Sequence, residues 1–303
     1  MTLRTRFTAM FGCRHPLHQA GMGGITTPDL ALAVASSGAL GMLSAKDTPL
    51  SELLDAVPVG AVIGVNFLTP GREDFPAVQE AAARMPYVEC FWAEPDPELV
   101  RIIHAGGALA GWQVGSAREA REAENAGCDL IIAQGVEAGG HVRGTLGLLP
   151  LLDEVRAVTN LPIVGAGGIG TGHAMAGALA AGAEAVRVGT RFMAATESTA
   201  HPTYIDGLLR SGADDTILTT AFGDGWPDAP HRVLKSAVVA GEALGTKQVW
   251  TPDWPSATYT GAAEARALYA GQSVGGVRKR QSAAEIVAEL VGEAEMRLTQ
   301  TVY

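Results

Sequence analysis

Leu161-Pro162-Ile163-Val164-Gly165-Ala166-Gly167-Gly168-Ile169-Gly170-Thr171-Gly172 reads as a strand, a glycine turn and the start of a helix. Gly165, Gly167 and Gly170 satisfy GxGxxG, the turn of a dinucleotide-binding unit. That unit also needs an acidic residue at the end of the following strand to hold a ribose. Here the following strand, Ala185-Val186-Arg187-Val188, ends in Gly189-Thr190, and it belongs to the eighth strand–helix unit of the chain, not the first. The dinucleotide reading is therefore rejected. The two glycine turns, 22 residues apart, have a better common explanation. In a (β/α)₈ barrel a phosphate commonly sits beyond strands seven and eight, on loop amides and a helix N-terminus. Without side chains at Gly167, Gly168 and Gly189, an oxygen can approach the N–H groups. Each turn alone is more often only a tight connection; the pair in adjacent final units favours phosphate binding.

Outward from this run, strand-like and helix-like stretches alternate from Pro16 to about Arg210. The strand candidates are Leu17–Ala20, Leu40–Ser44, Ala61–Phe67, Tyr87–Trp92, Ala108–Val114, Leu130–Ala133, Pro162–Gly165 and Ala185–Val188. They are apolar without clean alternation, as strands buried on both faces of a parallel sheet should be. Between them lie helix candidates at Pro28–Ser37, Glu73–Arg84, Pro97–His104, Ser116–Ala126, Leu148–Val158 and Thr171–Ala181. Thr27-Pro28-Asp29 supplies an N-cap, a first-turn proline and an acid against the helix dipole. Gly106, Gly127 and Gly182 are placed to stop three helices. Eight such units in about two hundred residues predict an α/β fold, a closed (β/α)₈ TIM barrel over residues 1–210, with an open doubly wound sheet as the alternative. After Arg210 the rhythm breaks. Residues 211–303, with helix candidates at Ala262–Tyr269 and Ser282–Leu298, read as a cap or insertion over the barrel mouth followed by C-terminal helices packed on the barrel.

Bulk properties narrow the function classes. The 303 residues carry 22 basic and 32 acidic side chains, a net charge of −10, and only four lysines: Lys46, Lys235, Lys247 and Lys279. With no basic stripe, neither a nucleic acid nor an anionic membrane is an expected partner, and a bound phosphate would rely mainly on backbone amides. Cys13, Cys90 and Cys128 are far apart and form no CxxC, which fits reduced thiols and no metal site. No secretory signal is legible near Met1 and no run is long enough to span a membrane, so a soluble, cytoplasmic protein is expected.

The second informative run is Gln134-Gly135-Val136-Glu137-Ala138-Gly139-Gly140-His141, which comes after the sixth strand on the catalytic face. A histidine behind two glycines has no helix face to pack on. It can reach a ligand and trade protons near neutrality. Glu137 could equally orient His141 or form a salt bridge elsewhere. After the first strand, Gln19-Ala20-Gly21-Met22-Gly23-Gly24 offers bare backbone that can lie against a flat ring, with the soft Met22 side chain beside it. Asn66, ending the third strand, is placed to bond a polar edge or to anchor a loop. Trp226, Trp250, Trp254 and Tyr269 could form a substrate lid or simply pack the appendage.

Gln134–His141, the Gly-Gly after strand seven, Val188-Gly-Thr-Arg-Phe192 with Thr196-Glu-Ser198 and His201-Pro202, the opening Gln19–Gly24 and the late Tyr269–Gln272 with Val274-Gly275 together resemble the nitronate monooxygenase (2-nitropropane dioxygenase) family across nearly the whole chain. FMN-dependent enoyl-acyl-carrier-protein reductases are similar over the same segments. The resemblance implies an FMN-dependent oxidoreductase acting on a small molecule and dioxygen, with monomer and homodimer both open. It implies that Ala20, Gly21 and Met22 line the isoalloxazine and that Asn66 contacts its polar side. Gln134, Gly139 and Gly140 would border ribityl and ring. Ala166, Gly167, Gly168, Gly189 and Thr190 would hold the phosphate, and His141 would be the catalytic histidine. Gln113 matches a position held by Lys in some relatives, so a fixed positive charge near the flavin is expected to be missing. The implied reaction converts an alkyl nitronate and dioxygen to a carbonyl compound and nitrite. The alternatives are an NAD(P)H-dependent FMN reductase of an enoyl thioester or quinone, a non-flavin phosphate-binding lyase or isomerase, and a non-catalytic flavin carrier.

Overall fold

Short apolar strands become a barrel only if the first can hydrogen-bond to the last and the remaining edge also closes. The computed structural model describes residues 3–46, 49–245 and 250–300, so Lys247 and part of the expected cap lie outside the described residues. Its principal strands are β1 (Leu17–Gln19), β2 (Gly41–Ser44), β3 (Ile63–Leu68), β4 (Tyr87–Phe91), β5 (Leu109–Val114) and β6 (Leu130–Gln134). After a two-residue strand, β7 (Gly140–His141), which lies outside the barrel, come β8 (Ile163–Ala166) and β9 (Ala185–Val188). The eight barrel strands run parallel in the order β1-β9-β8-β6-β5-β4-β3-β2. The ring closes through Leu40, whose N–H donates to Leu17 O at 2.9 Å and whose carbonyl accepts from Gln19 N–H at 2.9 Å. That closure excludes the open doubly wound sheet.

The barrel interior is filled, not hollow. Gly64 of β3 and Gly111 of β5 make room for the Tyr87 ring; a Cβ at residue 111 would stand 2.0 Å from Tyr87 Oη. Below the ring, α1 (Arg6–Phe11) plugs the N-terminal end, with Phe7 fully buried and the Phe11 ring 5.2 Å from that of Tyr87. Six residues are too few for a helical period, and this plug is absent from the sequence reading.

The outer helices are α2 (Pro28–Ser36), α3 (Leu50–Asp55), α4 (Phe75–Arg84), α5 (Pro97–Gly106), α6 (Ala117–Ala126), α7 (Leu148–Arg156) and α8 (Gly172–Ala180). Thr27 Oγ1 caps α2 by accepting from Leu30 N–H at 3.1 Å, with Pro28 in the first turn. Gly127 and Gly182 take left-handed φ of 97° and 98° behind α6 and α8. Gly106 does not end its helix as expected: Gly107 does, at φ 94°. Gly106 instead lets α5 lie against α4, since a Cβ there would meet Ala82 Cβ at 2.6 Å.

Beyond β9 the chain forms α9 (Thr190–Met193), α10 (Pro202–Arg210), β10 (Thr216–Thr219), β11 (His231–Leu234), α11 (Lys235–Leu244) and α12 (Ala283–Gln300). β10 and β11 are antiparallel, and β11 also pairs with β7, so a second sheet of three strands ties the late segment to the loop after β6. The helix expected over Ala262–Tyr269 is only a 3₁₀ turn at Ala263–Ala265. Its remaining backbone is needed elsewhere: Leu268 O accepts from Leu234 N–H at 2.9 Å, and Tyr269 bridges Val233. α12 packs on α8 and α2. Ile286, Val287 and Leu290 join the same apolar cluster as the barrel helices. Among the described residues, no helix is long and apolar enough to cross a membrane.

Candidate active site

A cavity of about 1120 Å³, including its open mouth, lies at the C-terminal ends of the barrel strands, the face where barrel enzymes place their chemistry. All fourteen residues expected at a site line it: Ala20, Gly21, Met22 and Asn66 from the first strands, Gln113, Gln134, Gly139, Gly140 and His141 from the middle, and Ala166, Gly167, Gly168, Gly189 and Thr190 from the last two.

At one end are the glycine turns. Gly167 and Gly168 adopt left-handed φ of 102° and 72°, backbone that glycine takes readily and that leaves the neighbouring amides uncovered by side chains. The N–H groups of Gly167, Gly168, Gly189 and Thr190 have no acceptor among the described residues. Thr190 Oγ1 accepts from Gly271 N–H at 3.0 Å, and Ser273 also lines the cavity, so the late segment completes this end. On the adjoining wall, after β1, Gly21 admits no side chain: a Cβ would come 2.8 Å from Asn66 Cβ and 2.9 Å from Leu43 O. Thr26 Oγ1 holds this loop by accepting from Met22 N–H at 2.9 Å.

Three amide side chains face the cavity in orientations dictated by their partners. Asn66 Nδ2 donates to Glu89 Oε1 at 2.8 Å, Gln113 Oε1 accepts from Arg187 Nη1 at 2.7 Å, and Gln134 Nε2 donates to His141 O at 2.9 Å. A carboxylate and a carbonyl only accept and a guanidinium only donates, so none of these amides can be reversed without losing its bond. Gln134 Oε1 is buried with no partner, an acceptor awaiting a donor.

Expectation and structure part at Gln113. A fixed positive charge is present, supplied by Arg187 of β9, which lines the cavity and is 8% exposed. Its signal in the sequence is a lone arginine inside Ala185-Val-Arg-Val188; its partners, on β4 and β5, leave no local mark.

His141 sits on β7, opposite His231 of β11. Its ring centroid is 4.2 Å from Trp226, 5.7 Å from Trp92, 5.4 Å from His231 and 5.7 Å from Tyr269. Burial among these rings, with His231 and Lys46 adding to it, lowers its pKa to about 3, so the imidazole is neutral at pH 7 and does not trade protons freely near neutrality as expected. Trp92 holds φ at 68°, a costly conformation for a bulky residue that often marks a functional site. Glu137 does neither thing expected of it. Its carboxylate accepts from Leu148 N–H at 3.0 and 3.1 Å, capping α7, whose own N-cap residue, Gly147, has no side chain. Of the aromatic candidates, Trp254 and Tyr269 line the cavity and Trp226 packs on His141, whereas Trp250 packs on Phe222 at 5.3 Å.

A nitronate monooxygenase family model matches residues 4–293. The chain belongs to the nitronate monooxygenase family. It is accordingly an oxidoreductase of the FMN type. A relative from Mycobacterium tuberculosis, 36% identical over 79% of this chain and 68% of its own length, is named (3aS,4S,5R,7aS)-5-hydroxy-7a-methyl-1-oxo-octahydro-1H-indene-4-carboxyl-CoA dehydrogenase. A probable nitronate monooxygenase from Staphylococcus aureus is 28% identical over 72% of this chain and 76% of its own. Among solved structures, FabK from Thermotoga maritima superposes with a TM-score of 0.81 at 28% identity, covering 98% of both chains. Nitroalkane oxidase from Streptomyces ansochromogenes gives 0.77 at 29%, covering 97% of this chain and 99% of the other.

Sequence reasoning does not single out Lys46, Arg187 and Ser273, which line the cavity, or Trp92, which packs on His141. Lys46 stands at the cavity with Nζ 4.6 Å from the centre of the Trp254 ring. In the sequence it is only one of four lysines.

Proposed function

We propose that this chain binds FMN in the cavity and oxidises an alkyl nitronate with dioxygen, giving a carbonyl compound and nitrite. The residues present suit that cofactor. Four unengaged glycine-turn amides fit a phosphate, the bare Ala20–Met22 backbone fits a flat ring, and the unpartnered Gln134 Oε1 fits a ribityl hydroxyl or a ring N–H. Bound there, FMN supplies the electron acceptor that no side chain of the cavity provides.

The observation that carries the substrate assignment is the charge of the lining. In a protein of net charge −10, the charged residues lining the cavity are, among the described residues, Lys46 and Arg187; no carboxylate lines it, and Glu89 offsets Arg187 only from behind the lining. Such a surface attracts an anion, and a nitronate is one. His141, held neutral, offers the anion a hydrogen bond or takes a proton once bound negative charge raises its affinity. Trp226 and Tyr269 flank the imidazole and restrict water around it.

A second reading is favoured by relatives at 36% and 33% identity, the latter from Rhodococcus jostii, both named as carboxyl-CoA dehydrogenases. In it the substrate is an acyl-CoA thioester. The deciding experiment is a visible spectrum of the FMN-saturated protein, followed by anaerobic mixing with propionate 3-nitronate and, separately, with NADH and an acyl-CoA. Bleaching by the nitronate, with nitrite released in air, supports the proposal. A flavin that ignores nitronate but responds to the other reagents overturns it.

A further inference from the structure

Beneath the cavity lies a charged network of which the proposed reaction draws only on the Arg187 charge. Glu89, at 0% exposure, is its centre. Oε1 receives Arg187 Nη2 at 2.8 Å and Asn66 Nδ2 at 2.8 Å. Oε2 receives the Tyr87 hydroxyl at 3.2 Å. His18 Nε2 stands 3.1 Å from Oε2, outside hydrogen-bond geometry, and both of its ring nitrogens lack a partner. Burial alone would keep Glu89 protonated; the Arg187 charge and its other neighbours hold its pKa down to about 2, so it is an anion.

The network is asymmetric toward the site. Arg187, Asn66 and Gln113 line the cavity, and Glu89, Tyr87 and His18 do not. The guanidinium thus lies on the ligand side and its counter-charge behind it. Because Glu89 takes the Asn66 amide hydrogen, Asn66 Oδ1 is left as an acceptor. Because Arg187 takes Gln113 Oε1, Gln113 Nε2 is left as a donor. The polar edge of an isoalloxazine carries one N–H donor between carbonyl acceptors, and the fixed amides match both kinds.

We infer that Arg187 is the fixed positive charge this chain sets against the flavin's polar edge, supplied from β9 in place of a lysine at residue 113, and that Glu89 is the positioning residue that orients Arg187 and the flanking amide Asn66. The inference rests on the FMN reading above. A cation there stabilises the negative charge that the ring acquires on reduction, and Glu89 moderates it from behind. Removing each partner should therefore move the flavin in opposite directions.

Sulfite tests this without turnover, since its covalent addition leaves a negative charge on the flavin ring. In the FMN-loaded full chain, Arg187→Gln is expected to weaken sulfite binding about tenfold or more and to lower the midpoint potential, while Glu89→Gln tightens sulfite binding. Arg187→Lys and the double variant Gln113→Lys/Arg187→Gln, which returns the charge from β5, recover most of the wild-type affinity. A network that is merely structural would shift Arg187→Gln and Glu89→Gln in the same direction and would not be rescued by Gln113→Lys. A folded, FMN-loaded Arg187→Gln protein with unchanged sulfite affinity and potential overturns the inference. Should Arg187→Gln fail to retain FMN, the lysine variants decide, and sulfite binding as weak as in a charge-free site overturns it. Wild-type protein that takes up no FMN at all removes the cofactor reading itself, a result distinct from either.

Discussion

In the unfolded chain the His141 imidazole takes up its proton near pH 6.5; folded among Trp226, Trp92 and Tyr269, it resists protonation down to about 3. Between those values the unfolded state binds the additional proton, so stability falls as pH falls, by up to about 1.4 kcal/mol per unit from this residue. His18 and His231 are shifted the same way by burial and keep their contributions when residue 141 is changed. Thermal melts from pH 7 to 4 should therefore show His141→Gln losing stability less steeply than the wild type; parallel slopes would contradict the burial of this ring. The same variant should retain FMN and lose roughly 10²–10⁴-fold in turnover. His141 is legible from its two preceding glycines, but its protonation state is not. The three aromatic residues that set it are 49, 85 and 128 positions away in the chain.

Among the elements, the loop from Gln134 to Leu148 shows how a site is stiffened from outside. Arg232 donates to Val136 O at 2.8 and 3.1 Å, and Arg143 Nε bonds Glu119 Oε1 at 2.6 Å. Glu137 closes the loop onto the start of α7. Glu137→Ala should cost about 1 kcal/mol through the lost cap, while Glu137→Gln, which keeps an acceptor, should cost less. Chemical denaturation measures both, and neither variant should alter the pH dependence of turnover. A changed pH profile would restore the role of orienting His141 that the geometry denies to Glu137. Most strand and helix bounds of the first eight units are readable to within a few residues because burial on both faces and cap residues are local signals. β7, β10 and β11 are not readable. β10 is half exposed and lies, with β11, in a segment without the strand–helix alternation that marks the barrel strands, and β7 exists only because β11 returns to pair with it.

Taken whole, the molecule depends on its last helix. Ile286, Val287, Leu290 and Val291 are 0–5% exposed, and Gly172 of α8 leaves the space that Glu293 Cβ occupies, 2.2 Å from where a Cβ would stand. Four such side chains at about 1.5–3 kcal/mol each sum to roughly 6–12 kcal/mol, comparable with the entire stability of a domain. Truncation before Ala283 should accordingly abolish cooperative folding of the barrel; a truncated chain with a wild-type melting transition would show that α12 is only an appendage. By itself the amino-acid sequence determined the barrel, the paired glycine turns at its mouth and the place of His141 in the cavity, since each rests on local chemistry: strand burial, glycine φ, and the loop residues directly after a strand. Only the tertiary structure decided which barrel helices α12 packs on, that Arg187 bonds Gln113 at the cavity, and that aromatic rings surround His141. Those depend on contacts between residues far apart in the chain, where closure of the ring, and nothing in the local pattern, selects the partner.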